Sequence, residues 1–206
     1  MPEPEKIPDW TVRSLQSLAF WIGWSHARYS RWPLSEGAMV AEMQAAVATF
    51  LPSDLVALAE VPTTEVVRNA SDVITRGGRI DLLIVKRDED GRCPGKRQLA
   101  EHANVVVEVK RSQASWAEIA KDIDRLAEIA AKLPAGGRCF LVVCSEGGQK
   151  RCAKIFSSEN TARNGKFQTS QAVYRTRRVL SASPSAKESR DAHLVALVEV
   201  TPNSPR

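Results

Sequence analysis

Three charged residues stand inside stretches that are otherwise apolar. Asp81 interrupts Arg-Ile-Asp-Leu-Leu-Ile-Val-Lys at residues 79–86, and Glu108 and Lys110 interrupt Asn-Val-Val-Val-Glu-Val-Lys at 104–110. Burying a carboxylate is unfavourable by several kcal/mol unless it is paired or bound to a metal. Side chains alternate across a strand, so Glu108 and Lys110 share one face while Val109 points away. Residues opposed on neighbouring antiparallel strands lie about 5 Å apart. If Asp81 opposes this region, two carboxylates and one ammonium converge. A divalent cation relieves the repulsion between two such carboxylates. Mg²⁺ favours one or two carboxylates together with waters and phosphate oxygens, and Mn²⁺ can substitute. The other reading is a buried ion pair of Asp81 or Glu108 with Lys110, an arrangement that stabilises strands poorly.

The flanking elements can be read from periodicity. Residues 8–28 form a helix with Val12, Leu15, Leu18, Ala19 and Ile22 on one stripe. A second helix spans 35–51 and stops before Pro52. Its stripe is Val40, Met43, Val47 and Phe50, and Glu36 falls on it, whereas Glu42 lies well round the helix among alanines. Strands follow at 55–67, with a break at Pro62, then at 79–86 after Gly77-Gly78, and at 104–110. The polar, turn-rich residues 87–103 read as a mobile hairpin loop. Ser115 and Glu118 form a capping box for a helix whose face is Trp116, Ile119, Ile123, Leu126, Ala130 and Leu133. Pro134 and Gly136-Gly137 end it, and residues 138–144 make an apolar strand covered on both faces. A helix near 149–156, a polar stretch at 181–190 and a last strand at 193–200 complete the chain. The expected fold is α/β, a central mixed sheet flanked by helices. It divides into an aromatic-rich helical arm (1–34), a core (35–145) and a basic extension (146–206).

These residues resemble the PD-(D/E)xK nucleases, which have a restriction-endonuclease-like fold with an αβββαβ core. The matching positions are Asp81 in Arg-Ile-Asp-Leu-Leu-Ile and Glu108-Val109-Lys110 in Val-Val-Val-Glu-Val-Lys-Arg, and the flanking helices and strand match over residues 35–145. The family's leading proline is missing, since Ile80 precedes Asp81. The resemblance implies that Asp81, Glu108 and the Val109 backbone carbonyl hold Mg²⁺. It implies that Lys110 orients or helps deprotonate the attacking water. It also implies an assisting acidic residue on the preceding helix. Glu36 is the choice because it sits on the core-facing stripe, with Glu42 and then Glu60 as alternatives. Arg111 and Gln113 follow the site and are candidates to touch the scissile phosphate.

Charge agrees with a polyanionic partner without requiring one. The 206 residues carry a net charge of +5. Residues 150–178 hold eight basic side chains (Lys150, Arg151, Lys154, Arg163, Lys166, Arg175, Arg177 and Arg178) against Glu159 alone. Lys150, Arg151, Lys154, Arg175, Arg177 and Arg178 are therefore candidate nucleic-acid contacts, DNA in preference to RNA; a solvated basic face is the bland reading. The aromatics Trp10, Phe20, Trp21, Trp24, Tyr29 and Trp32 crowd the N-terminal region. Core packing or a homodimer contact accounts for them better than base stacking. Cys93, Cys139, Cys144 and Cys152 form no CxxC pair. A zinc site is not expected, and reduced thiols in the cytoplasm are. No signal-peptide pattern, membrane span or GxxxxGK phosphate loop is evident, and His26, His102 and His193 receive no role.

Overall fold

In the computed structural model the described residues are 6–29, 34–67, 78–145, 153–156, 167–169, 171–182 and 193–203. Their elements run α1 (Asp9–Tyr29), α2 (Glu36–Phe50), β1 (Leu55–Pro62), α3 (Thr63–Val66) and β2 (Arg79–Lys86). There follow a 3₁₀ turn (Lys96–Gln98), α4 (Leu99–His102), β3 (Ala103–Arg111), α5 (Trp116–Ala130), β4 (Arg138–Ser145) and α6 (Ala153–Phe156). The last strands are β5 (Phe167–Gln168), β6 (Ala172–Ala182) and β7 (His193–Pro202). All strands join one mixed sheet in the order β1-β2-β3-β4-β7-β6-β5, in which β5 is only a two-residue edge. β3 and β4 are parallel, joined through α5; every other neighbouring pair is antiparallel.

The apolar strands explain the layering. Along β3, Val105, Val107 and Val109 face α1 and α2 together with Leu82, Ile84, Phe140 and Val142. Val106 faces α5 with Leu83, Leu141 and Val143. Cys139 and Cys144 are buried on opposite faces, as their spacing requires. α5 buries Ile119, Ile123, Leu126, Ala127 and Ile129, and the predicted capping box holds its start: Ser115 Oγ accepts from the Glu118 N–H, and Glu118 accepts from the Ser115 N–H at 2.8 Å. Ser35 caps α2 by accepting from the Ala38 N–H at 3.1 Å.

Two expectations change. The first strand stops at its expected break, Pro62, and does not resume to 67, because Thr63 turns the chain into α3 and Thr63 Oγ1 donates to the Gly78 carbonyl. Residues 87–103 are not a bare loop: they contain the 3₁₀ turn and α4, pinned by buried Leu99. Residues 9–29, assigned from the sequence to an N-terminal arm, pack Trp10, Leu15, Leu18 and Ile22 into the same core as Val107 and Phe140. The strand β6 was not anticipated at all.

Ile123 lies wholly buried between α5 and the sheet. Ile123→Ala should lower unfolding free energy by about 2–5 kcal/mol. The expected result in a urea titration is a lower midpoint with an unchanged slope.

Candidate functional site

The three residues singled out in the sequence meet where β2 and β3 part. Backbone pairing runs from Val85↔Ala103 to Leu82↔Val107. At the next step Asp81 Oδ2 accepts a 2.7 Å hydrogen bond from the Val109 N–H, so a carboxylate takes the place of a backbone carbonyl in the ladder. The N–H and C=O of one strand residue point toward the same neighbouring strand. Val109's carbonyl is therefore turned toward β2 as well. On the other side of β2, β1 pairs through Ala59↔Leu82 and Val61↔Ile80, skipping Glu60. Glu60 has φ 54°, a left-handed conformation that non-glycine residues rarely adopt. Both neighbours of Asp81 thus depart from regular pairing at that point.

Glu108 is enclosed. Its side chain is 3% exposed, and its Oε2 lies 2.7 Å from Arg125 Nη2. Its Oε1 is buried and accepts from no N–H or hydroxyl, while the Glu108 and Asp81 carboxyls lie within hydrogen-bonding reach of each other. Burial pushes the Glu108 carboxyl well up; Arg125 opposes this, and the charges of Asp81 and Asp122 add to the rise. Asp81 is raised too, chiefly by burial, with the Val109 N–H working against it. The two carboxyls are close enough for each to bear on the other's protonation.

Lys110 emerges where both helical layers reach the end of β3. Its Nζ lies 3.0 Å from Glu36 Oε1 on α2 and 3.5 Å from Asp122 Oδ2 on α5. Burial alone would lower its pKa, but the hydrogen bond to Glu36 and the charges of Asp122, Glu36 and Asp81 prevail and raise it. Lys110 is therefore an ammonium at neutral pH. Asp122 Oδ1 also lies 3.5 Å from Arg125 Nη2, one turn further along α5. The result is a continuous chain of charge, Glu36–Lys110–Asp122–Arg125–Glu108, with Asp81 beside its end. An open cleft of about 560 Å³ adjoins it at Glu36, Lys110, Asp122 and Arg125 and is lined further by Arg111, Gln113 and Lys121, whereas Asp81 and Glu108 lie behind this lining and do not form part of it.

Sequence reasoning found Asp81, Glu108, Lys110 and Glu36 but missed Asp122 and Arg125. The available signal was an acid–base pair three apart on α5, each residue immediately preceding a member of the buried stripe, Ile123 or Leu126. Of the alternatives to Glu36, Glu42 does not line the cleft and Glu60 is exposed on β1. Among the basic candidates, Arg177 engages Glu199, which Arg138 also grips at 2.7 Å. Arg175 and Arg178 lie on β6 away from the cleft lining, with Arg178 exposed. Lys150 and Arg151 lie outside the described residues, as does the side chain of Lys154. Of the aromatics, Trp10 is buried while Phe20 and Trp24 are 72% and 48% exposed. Trp32 and the Tyr29 side chain lie outside the described residues.

Asp81 and Glu108 offer two carboxylates, and among the described residues no cluster of three or more His, Cys, Asp or Glu is arranged to hold a metal ion. A two-carboxylate site suits Mg²⁺, which keeps several waters, better than zinc. Glu108 Oε1, which accepts from no N–H or hydroxyl, is an atom such an ion would satisfy in place of a proton shared with Asp81. No helix among the described residues is long and apolar enough to cross a membrane. No protein-family model matches this chain, and none of the curated proteins or solved structures compared with it is significantly similar.

A raised carboxyl pKa means that the folded protein binds the proton more tightly than the unfolded chain. Stability attributable to Glu108 is therefore present below its ordinary value of 4.5 and is lost as pH rises through the folded value. Denaturation midpoints of Glu108→Gln measured from pH 4 upward should fall less with rising pH than those of the wild type. Parallel curves would contradict the assignment of Glu108 as a raised group.

Proposed function

We propose that this chain is a metal-dependent nuclease that hydrolyses phosphodiester bonds of DNA. The observation that carries the reading is the convergence of Asp81, Glu108 and Lys110 at the parting of β2 and β3, with Glu108 Oε1 buried and accepting from no N–H or hydroxyl. The order α2, three antiparallel strands, α5 and a parallel strand β4 is the order expected of a restriction-endonuclease-like core, with short helical turns inserted. Together with the Asp81 and Glu108-Val109-Lys110 motif, it supports membership of the PD-(D/E)xK superfamily.

In this reading Asp81, Glu108 and the Val109 carbonyl hold Mg²⁺, or Mn²⁺ in its place. When bound, the ion lowers the pKa of a water and polarises the phosphate. Lys110, held charged by Glu36 and Asp122, donates a hydrogen bond that orients the attacking water and offsets charge building on the phosphate oxygens. Water attacks phosphorus and releases a proton to the surrounding solvent, the bond to the leaving sugar oxygen breaks, and that oxygen takes up a proton from solvent in return. Gln113, Arg111 and Lys121 in the cleft contact the phosphates on either side of the scissile bond. Arg175 and Arg178, which lie on β6 apart from the cleft, and the basic Lys150, Arg151 and Lys154 add positive charge that favours binding of a polyanion. Exposed Phe20 and Trp24 serve a second copy of the chain, and the protein works in the cytoplasm, where Cys139 and Cys144 stay reduced.

One observation favours a second reading. Arg125 already satisfies Glu108 Oε2 at 2.7 Å, as it would in a catalytically silent nucleic-acid-binding or assembly subunit of the same fold.

The purified chain is to be incubated with supercoiled, linear and single-stranded DNA and with RNA, in Mg²⁺, Mn²⁺ or chelator. Cleavage of DNA should require the metal. Asp81→Ala and Lys110→Ala should each reduce it by about 100-fold or more. Binding without cleavage would favour the silent subunit, and cutting that survives both substitutions would refute the site.

A further inference from the structure

Resting on the nuclease reading, we propose that Arg125 and Asp122 are a positioning pair that aligns Glu108 and Lys110 from a single turn of α5. Arg125 fixes one oxygen of the Glu108 carboxylate, so that the other is the single oxygen this residue offers to a divalent cation.

The geometry of the pair supports this division of labour. A glutamate on a strand has three side-chain torsions, and packing against apolar neighbours does not fix which oxygen points where. The planar guanidinium of Arg125 removes that freedom by contacting Oε2 at 2.7 Å, while Oε1 stays buried and accepts from no N–H or hydroxyl. Asp122 then couples the two cations. Its Oδ1 lies 3.5 Å from Arg125 Nη2 and its Oδ2 lies 3.5 Å from Lys110 Nζ. One carboxylate thus attends both Arg125 and Lys110, and α5, anchored in the core by Ile119, Ile123 and Leu126, sets the spacing between them. Neither residue is counted among the metal-holding groups of the proposed site; both act through residues that are. Partners of metal ligands typically alter metal affinity or activity by about 10–100-fold when replaced.

Arg125→Lys separates orientation from charge. It keeps the positive charge, and so to first order the electrostatic effect on an incoming cation, but it loses the Nη2 whose rigid guanidinium plane directs its contact to Oε2. Mn²⁺ affinity of the full chain, measured by calorimetry and by the electron paramagnetic resonance signal of the free ion, should fall about 10-fold or more in Arg125→Lys. The Kd for uncut duplex DNA in chelator should stay within about twofold, since Arg125 is not assigned to the phosphates. Asp122→Asn preserves shape and should lower kcat with KM for DNA unchanged. Circular dichroism establishes folding of each variant, and if Arg125→Lys does not fold, the kcat and KM of Asp122→Asn decide. Unchanged Mn²⁺ affinity with weakened DNA binding would make Arg125 a phosphate contact and overturn the proposal while leaving the nuclease reading intact. Absence of Mn²⁺ binding by the wild type would overturn both.

Discussion

A carboxylate buried within an apolar sheet is the constraint around which this molecule is organised. Glu108 lies on β3, an interior strand between β2 and β4, with its side chain shut away from water. An isolated charge there would be prohibitively unstable, and its immediate counter-charge is Arg125. Arg125 in turn lies beside Asp122, Asp122 beside Lys110, and Lys110 beside Glu36. Following the charges therefore leads from the α5 layer past the end of the sheet to the α2 layer. Including Asp81, the group holds four carboxylates and two basic side chains. Fully ionised, it is short of two positive charges, and the raised carboxyls are the protein's response within its own atoms.

Each helix has a defined part in this arrangement. α2 presents Glu36 in its first turn, where a negative charge is favoured by the helix dipole. α5 presents Asp122 and Arg125 on the border of its buried stripe, so that the same residues that seat it on the sheet also set the reach of its charged side chains. The sheet contributes the discontinuity. Regular pairing would fill the Val109 N–H with a backbone carbonyl, whereas Asp81 supplies a side chain and opens the strands beside the cleft.

Much of this could be read from the sequence, and the exceptions share a cause. β2 was delimited correctly because its apolar run is bounded by charges, and α5 because Ser115 and Glu118 announce its start. Asp81, Glu108 and Lys110 were visible because charge inside an apolar strand is unfavourable without a partner. Asp122 and Arg125 were not, because charge on the border of an amphipathic helix carries no such penalty until the sheet beneath it is known. β6 is hidden in the sequence because its buried positions include the small or polar Ala172, Tyr174 and Thr176, and Arg175, Arg177 and Arg178 interrupt what would otherwise read as an apolar alternation. α3 was lost to a local event, the hydrogen bond from Thr63 to Gly78 across fifteen residues, which no periodicity predicts.

The left-handed turn at Glu60 reaches beyond the residue it faces. β1 is the outermost strand among the described residues, and on one side no described strand pairs with it. Such a margin is a template on which a strand from another molecule can add. At Glu60 the run of hydrogen-bonding groups is bent out of register, and two residues later Pro62 supplies no N–H at all. Arg79 Nη1 further occupies the Glu60 carbonyl at 2.9 Å. An incoming strand would find only the first few residues of β1 available. The distortion beside Asp81 thus also guards the sheet against growing into a fibre.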